Sequence, residues 1–222
     1  WRFTLTATAN ASGTAYPGVY LGSQVAAGSN GIDTYTGNGY SGILIWGVQF
    51  EAGAFATSFI PTTSAAVQRG ADNASMTGTN FSSWWNAAQG TILSVAIPYN
   101  VSAVRGGFVI SDGTANNTIE TAHGSTPRAF VNVSGSTQVS QASGSVSANT
   151  TVKSALAYQL NNSNGACNGV VGTNVTTCTV PTVNQAIIGN VVGGASALNG
   201  TISKVLFYPT RLPDSTLKGL TS

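Results

Sequence analysis

The feature that most constrains the fold is a series of short apolar runs separated by turn residues, which continues from Ser75 to the end of the chain. The runs are rich in β-branched and aromatic residues, and Gly, Asn, Asp and Ser stand between them. Such spacing, with almost no helical periodicity, is typical of a β-sandwich. The sequence therefore predicts an all-β fold with strands at 75–77, 91–98, 106–113, 118–122, 128–133, 138–141, 151–160, 185–189 and 200–208, and a closing helix at 213–220.

The composition restricts the kinds of partner. Charged residues make up 6% of the 222 residues, against about 25% in ordinary soluble domains. So little charge can indicate disorder, but the recurring aromatic and β-branched residues can supply a core. The net charge is +2 and the eight basic residues form no cluster, so the sequence predicts no nucleic-acid binding. It also contains no apolar run long enough for a membrane-spanning helix.

The N-terminal quarter indicates a separate and incomplete unit. Trp1, Phe3 and Leu5 alternate with polar residues, as in a strand already in progress. A second strand is predicted around residues 16–21 and a third over 43–50, with turn-rich sequence between them. We therefore expect residues 1–60 to be the end of a unit whose earlier strands lie upstream. Residues 61–74 are then a linker, and residues 75–222 a second unit.

One segment carries a family resemblance. Residues 43–61 read ILIWGVQFEAGAFATSFIP. The segment resembles the junction in tailed-bacteriophage and prophage structural proteins where a carbohydrate-binding-module-like jelly roll closes and a laminin-G/concanavalin-like sandwich follows. The residues that match its pattern are Trp46, Gly47, Gln49, Glu51, Gly53, Ala56, Thr57, Ser58, Ile60, Pro61 and Thr62.

The C-terminal segment, residues 200–220, carries a second resemblance. It is similar to the closing strand and helix of laminin-G/concanavalin-like jelly rolls. The residues that match are Gly200, Ile202, Val205, Phe207, Tyr208, Leu212, Asp214 and Leu217. This resemblance implies a fold and no activity, because lectins, enzymes and inert structural modules share it.

Together the resemblances imply a non-enzymatic virion protein, a fibre, tail or capsid appendage on the particle surface. Its expected partners are copies of itself, most simply as a homotrimer, other virion proteins and host cell-surface glycans. No cofactor is expected. One alternative is a secreted bacterial lectin-like carbohydrate-binding module. The other is a glycan-degrading enzyme.

Sugar binding favours aromatic side chains beside amide groups, because a ring face packs on the sugar while polar groups bind its hydroxyls. The best candidates are Trp84 and Trp85 with Asn80 and Asn86, all in a predicted loop. Alternatively, one indole belongs to the core and the other packs against the linker or another subunit. Tyr35 and Tyr40 form the second group of candidates.

Catalytic and metal-binding patterns are weak. Asp112 and Glu120 are the nearest carboxylate pair that could serve a glycosidase, although Asp112 in Ser-Asp-Gly also suits a turn. Asp112, Asn116, Asn117 and Glu120 are candidate calcium ligands, with an Asn-rich turn as the simpler interpretation. His123 is the single histidine, and its sequence context predicts a solvated loop rather than a catalytic triad.

The two cysteines, Cys167 and Cys178, flank a segment that resembles a hairpin. If they face each other on paired strands, a disulfide is geometrically possible, and otherwise they are two thiols. Two cysteines and one histidine are too few ligands for a structural zinc site.

Overall fold

The structure is a computed structural model that describes residues 3–8, 36–40, 42–51, 56, 58–67, 74–142, 144–194 and 196–222. The chain forms two compact units, Trp1–Arg69 and Gly70–Ser222. The division falls inside the predicted linker, residues 61–74.

Within its described residues, the second unit contains eleven strands and two helices. The all-β fold predicted from the sequence is therefore confirmed for this unit. In chain order the elements are β1 Ala74–Thr77, α1 Thr79–Ser82, β2 Gln89–Pro98, β3 Arg105–Ser111, β4 Thr118–His123, β5 Arg128–Val133, β6 Ser136–Ala142, β7 Val152–Gln159, β8 Asn164–Cys167, β9 Val170–Val171, β10 Gln185–Ile188, β11 Gly200–Tyr208 and α2 Asp214–Thr221.

The strands form two antiparallel sheets that pack face to face as a β-sandwich. The six-stranded sheet has the order β1-β10-β3-β4-β5-β6, and the five-stranded sheet has the order β11-β2-β7-β8-β9. β2 and β10 leave their sequence neighbours to pair with β7 and β3, so both sheets contain strands that are distant in the chain. The antiparallel β-sandwich that the sequence predicts is thus the fold of this unit.

The main core lies between the sheets. Phe108 and Ile110 from the six-stranded sheet meet Ile92 and Leu156 from the five-stranded sheet, and all four side chains are at most 2% exposed. Inward and outward residues alternate along each strand, so these apolar residues fall on one face. Burial of this face is the main source of stability for a sandwich.

A smaller core covers the opposite face of the five-stranded sheet. There Leu93, Ala155 and Ala157 pack under Leu217 of α2. β2 and β7 are therefore buried on both faces, which explains their nearly continuous apolar sequences. Helix α2 begins and ends one residue later than predicted, with Asp214 in its first turn and Lys218 in its last. Both charges have the sign that the helix dipole favours at those ends.

The cysteine pairing predicted as one alternative is wrong, because no disulfide joins Cys167 and Cys178, which are both buried. The hairpin turns earlier than expected, at Asn168–Gly169, and places Val170 opposite Cys167. Cys167 is the last residue of β8. The backbone carbonyl of Cys178 instead accepts a hydrogen bond from the backbone N–H of Asn161, which precedes the first residue of β8. The two thiols thus lie toward opposite ends of β8 rather than across a ladder.

The first unit differs from its prediction. Residues 3–8 and 42–51 form no strand, and Leu44, Trp46 and Phe50 are at least 71% exposed. An extended segment becomes a strand only by pairing, and Gly47, with φ of 69°, breaks the extended path midway through residues 43–50. The strand predicted at residues 16–21 lies outside the described residues.

The segment that carries the phage resemblance folds back on itself. Oε1 of Gln49 accepts a hydrogen bond from the backbone N–H of Ile60 at 2.8 Å, and Nε2 of Gln49 donates to the carbonyl of Ser58 at 3.4 Å. The rings of Trp46 and Phe59 pack at a centroid distance of 5.0 Å. The side-chain amide of Gln49 thus makes hydrogen bonds with the backbone of residues 58–60, as a neighbouring strand would.

Candidate functional site

The two tryptophans predicted to bind sugar are half-buried in an aromatic cluster at one end of the sandwich. Trp84 meets Phe81 edge-on at 5.0 Å and Phe207 at 4.8 Å. Trp85 stacks on Phe81 at 5.4 Å and on Tyr158 at 5.1 Å, with interplanar angles of 25° and 19°. Core aromatic residues therefore occupy the ring faces that a sugar would use.

The polar groups beside these rings are also committed to the fold. The indole N–H of Trp84 donates to the carbonyl of Asn80 at 2.8 Å. The side chain of Asn86 donates to the carbonyl of Pro209 and accepts from the backbone N–H of Ala88. The segment was predicted as a loop but contains the short helix α1, which Phe81 anchors in the core. Of the predicted sugar platform, the ring edge of Trp85 remains available, and Asn80 is exposed.

That edge lines a shallow cavity of about 660 Å³, which we call the α1 pocket. It lies where β1 enters α1 and where the chain enters β10, and Phe81, Val183 and Gly78 form part of its wall. Its polar lining consists of Thr77, Thr79, Ser82, Asn184 and Gln185. The cavity is thus built from one indole, hydroxyl groups and amides.

A second polar surface lies on the outer face of the six-stranded sheet, which points away from the core. In the ladder of β4, β5 and β6, Glu120 is opposite Phe130, and Phe130 is opposite Ser140. Arg128 is two residues before Phe130, so both side chains lie on the same face. The arginine guanidinium lies over the phenyl ring, with 5.2 Å between its carbon and the ring centroid.

Several groups on this outer face have no partner. Nε of Arg128 and Oγ1 of Thr118 are buried and make no hydrogen bond to any residue that the structure describes. Glu120 is 8% exposed, and it forms no direct ion pair with Arg128 within the same described residues. Burial raises the pKa of Glu120, and the positive charge of Arg128 opposes that rise. Unpaired polar groups at a partly accessible surface are the groups that a polar ligand satisfies.

The calcium candidates do not converge. Asp112 accepts hydrogen bonds from Thr114 through Oδ1 and from Asn117 through Oδ2, and these bonds lower the pKa of its carboxyl group. Asn116 is exposed in the same turn, and Glu120 belongs to the outer face of β4. The simpler turn interpretation therefore describes Asp112 and its neighbours. Among the described residues, no group of three His, Cys, Asp or Glu side chains could hold a metal ion.

The prediction of a solvated His123 is wrong. His123 ends β4 with no exposed surface, and its Nε2 lies 2.8 Å from Oγ of Ser94 in the opposite sheet. Burial lowers the pKa of His123 to about 4. Ser94 is equally buried and also bonds Thr121 at 2.7 Å. No substrate reaches a pair enclosed between two sheets, so this Ser–His contact is structural.

The remaining candidates belong to the first unit. Tyr40 is 97% exposed, and Tyr35 lies outside the described residues. Among the helices that the structure describes, neither has the length and apolar character needed to cross a bilayer.

Sequence reasoning missed Arg128 and Phe130 as functional candidates. The signal was present in β5, where Arg128, Phe130 and Asn132 share one parity and Ala129 and Val131 share the other. Period-two patterning identifies two faces but does not show which polar face has unpaired groups. Only the neighbouring strands β4 and β6 reveal that arrangement.

No family profile and no curated protein matches the chain. Among solved structures, a sialidase CBM40 from Ruminococcus gnavus bound to α2,3-sialyllactose is 14% identical, with a TM-score of 0.54 over 64% of this chain and 88% of that one. The same module bound to α2,6-sialyllactose gives 13% identity, a TM-score of 0.53 and the same two coverages. A leech intramolecular trans-sialidase gives 14% identity and a TM-score of 0.55 over 68% of this chain and 26% of that one. These similarities establish that the second unit has the sandwich fold of such modules.

Proposed function

We propose that the second unit is a non-catalytic carbohydrate-binding module that takes an acidic glycan on the outer face of its six-stranded sheet. The observation that supports this proposal most strongly is the placement of Arg128. Its side chain is half-buried over Phe130 and beside Glu120, and its Nε makes no hydrogen bond to any described residue. The sandwich fold that the unit shares with the solved CBM40 modules supports the same assignment.

Because charged residues are scarce in this chain, the position of Arg128 on the sheet face favours a binding role. Several other described charges have structural partners: Arg211 pairs with Asp214 at 2.6 Å, Lys153 contacts the carbonyl of Ser222, and Asp112 is bonded within its turn. Lys204 differs from Arg128 in being exposed on β11 rather than half-buried against an aromatic ring. In a chain with 6% charged residues, a guanidinium on a sheet face is not needed to keep the surface polar. Its planar donors fit a carboxylate in a bidentate arrangement.

The neighbouring groups suit the rest of a sugar. The carboxyl group of Glu120 can bind hydroxyl groups, and Phe130 offers apolar surface for ring C–H groups. Sialyllactose is the natural first probe, because it combines one carboxylate with a neutral disaccharide and is bound in the solved modules.

Isothermal titration of the full chain with 3′-sialyllactose, 6′-sialyllactose and lactose tests this proposal. Arg128→Gln should weaken sialyllactose binding about 10- to 100-fold, since a hydrogen bond to a charged group contributes about 1.5–3 kcal/mol. Lys204→Gln is the matched control: it removes the same charge from an exposed position on β11 and should change nothing. Unchanged binding by Arg128→Gln, or no binding of these or other acidic glycans by the wild type, would contradict the proposal.

The non-catalytic part of the proposal rests on the carboxylates. A glycosidase needs two carboxyl groups facing one bond. Asp112 is engaged in its own turn and Glu120 belongs to the sheet face, which supports binding without hydrolysis. Prolonged incubation with sialyllactose should release no free sialic acid, and release that Glu120→Gln abolishes would overturn this assignment.

We also propose a virion appendage as the setting in which the module works, with several copies per particle and host glycan as the target. The resemblance around Trp46 supports this setting. The hydrogen bonds between the Gln49 side chain and the backbone of Ser58 and Ile60 give that segment a structural role. Mass spectrometry of purified phage particles, with cross-linking to count the copies, tests it. Recovery of the protein as a secreted product without particles would favour the lectin-like alternative.

A further inference from the structure

The α1 pocket is a second concave polar site, separate from the outer face used above. β1 and β10 pair Thr77 with Gln185 in register, and this pairing holds the two walls of the pocket together. Gln185 pairs in turn with Ser111, and Ser111 with Thr118. Because β5 is three strands away from β10, Arg128 and Gln185 lie on the order of 14 Å apart or more. A substitution at one site therefore need not disturb the other.

Several polar groups of the pocket have no role in the fold. The side chains of Thr79, Ser82 and Asn184 make no hydrogen bond to any residue in the described ranges, and neither does the indole N–H of Trp85. Trp84 differs, because its indole N–H is bonded to Asn80. The pocket thus offers an indole donor, two hydroxyl groups and an amide, which together can donate and accept several hydrogen bonds.

The Trp85 donor is preorganised. Phe81 and Tyr158 stack on its ring, and the Tyr158 hydroxyl donates to the carbonyl of Asn86 at 2.6 Å. The ring therefore loses little conformational entropy when a ligand binds to its edge. On the other side, open space surrounds Gly78, where an added Cβ would have no neighbour within 4 Å. A ligand can approach the backbone closely at that point.

The chemistry of the wall selects the ligand class. Among the described residues, no charged side chain lines the pocket, so these residues offer an ionic ligand no counter-charge there. An apolar ligand would remove water from the free hydroxyl, amide and indole groups without replacing its hydrogen bonds. A volume of about 660 Å³ falls within the usual range for small-ligand sites. A compact neutral molecule rich in hydroxyl groups satisfies all three conditions.

We infer that the α1 pocket binds a neutral sugar unit, held at the indole edge of Trp85 by the side chains of Ser82, Thr79 and Asn184. The inference rests on the proposed function for its general ligand class, and on the pocket alone for its location and for the neutral charge. The module then carries two subsites of different specificity, one acidic and one neutral.

Nuclear magnetic resonance on the ¹⁵N-labelled full chain tests this directly, with methyl glycosides of glucose, galactose and mannose and with N-acetylglucosamine as probes. We expect at least one probe to shift the indole N–H signal of Trp85 saturably and to leave that of Trp84, bonded to Asn80, in place. Trp85→Phe assigns the signal. Asn184→Ala should raise the Kd of that probe at least tenfold, whereas Asn199→Ala, at an exposed position outside the pocket, should not.

The outcomes separate this inference from the proposed function. Arg128→Gln should weaken acidic-glycan binding about 10- to 100-fold and leave the Trp85 shifts intact. If sialyllactose binds but no neutral probe moves the Trp85 signal, the pocket inference alone fails. It also fails if a neutral probe binds with the same Kd in Asn184→Ala. If neither class of glycan binds the wild-type chain, both ideas fail together.

Discussion

Nε2 of His123 lies 2.8 Å from Oγ of Ser94, and this contact crosses the interior of the sandwich from β4 to β2. Ser94 also contacts Thr121 at 2.7 Å, so the side chains of Ser94, Thr121 and His123 form one buried hydrogen-bonded cluster. Gly107 makes room for it, because a Cβ there would lie 2.5 Å from Nε2 of His123 and 2.6 Å from Oγ of Ser94. The two sheets are thus joined by polar contacts as well as by the apolar core.

Stability should fall as the pH falls from about 6.5 to about 4. Burial lowers the pKa of His123 from 6.5 to about 4, so in this window the unfolded chain binds a proton that the folded chain does not. The loss should be on the order of 3 kcal/mol. Urea denaturation of the wild type and of His123→Gln between pH 4 and pH 8 measures it.

Glu120 provides the internal check on that experiment. Burial raises the pKa of Glu120, so its contribution to the free energy of unfolding decreases as the pH rises through the titration of the carboxyl group. This pH dependence is opposite in sign to that of His123. In His123→Gln, the decrease in stability below pH 6.5 should therefore disappear, whereas the pH dependence that comes from Glu120 should remain. Parallel pH profiles for the two proteins would show that His123 does not carry the dependence.

Gly90→Ala should destabilise the second unit by about 2 kcal/mol, because overpacking of a filled core has a cost of this size. A Cβ at Gly90 would lie 2.5 Å from the hydroxyl oxygen of Tyr158, the side chain that stacks on Trp85. Gly219→Ala is the matched control. It lies in α2 with no atom within 4 Å of an added Cβ, so it should stabilise by up to about 1 kcal/mol. Equal effects in urea denaturation would contradict the packing argument.

The sandwich could be predicted because its strands carry their own period. β5 and β11 have the predicted bounds, since apolar residues recur at every second position and turn residues stop the runs. The closing helix was also recognisable from Pro213 and Asp214 at its start. These are local signals, and local signals are the ones that a single sequence contains.

The site depended on contacts that the sequence does not contain. Helix α1 has four residues, too few for a helical period, and it forms because Phe81 is buried. His123 is followed by Gly-Ser-Thr-Pro, which favoured a loop, yet pairing with Arg105 of β3 keeps it inside the sheet. The faces of Trp84 and Trp85 are covered by residues as distant in the chain as Tyr158 and Phe207. Such contacts arise only from the tertiary fold.

Asn164→Ala should destabilise the unit by about 2–3 kcal/mol, because it leaves buried groups without partners. Asn164 has no exposed surface, and its Nδ2 donates to Oδ2 of Asp214 at 2.7 Å and to the carbonyl of Gly172 at 3.1 Å. This contact ties the start of α2 to β8. Asn199→Ala, at an exposed residue, should change the free energy of unfolding by less than about 0.5 kcal/mol. Thermal and urea denaturation measure both, and matching values would remove the anchoring role.

Both thiols should be unreactive in the folded protein and titrate as two after denaturation without reductant. Cys167 and Cys178 are at most 1% exposed, and burial raises the pKa of Cys167 to about 11. The thiolate is the reactive form, so burial and the raised pKa both suppress reaction with Ellman's reagent near pH 8. Cys178 is also held by contacts from its sulfur to the carbonyls of Gln159 and Val175.

The informative control for the thiols is a double measurement on one sample, with Ellman's reagent in native buffer and then in guanidinium. Ser154→Ala, which removes the hydroxyl group opposite Cys167 in the β7–β8 ladder, should leave the denatured count at two and the native count near zero if burial is the dominant protection. A denatured count of zero that reductant restores to two would mean that the cysteines are bonded. The arrangement around β8 would then have to differ, because Val170, not Cys178, is the residue opposite Cys167.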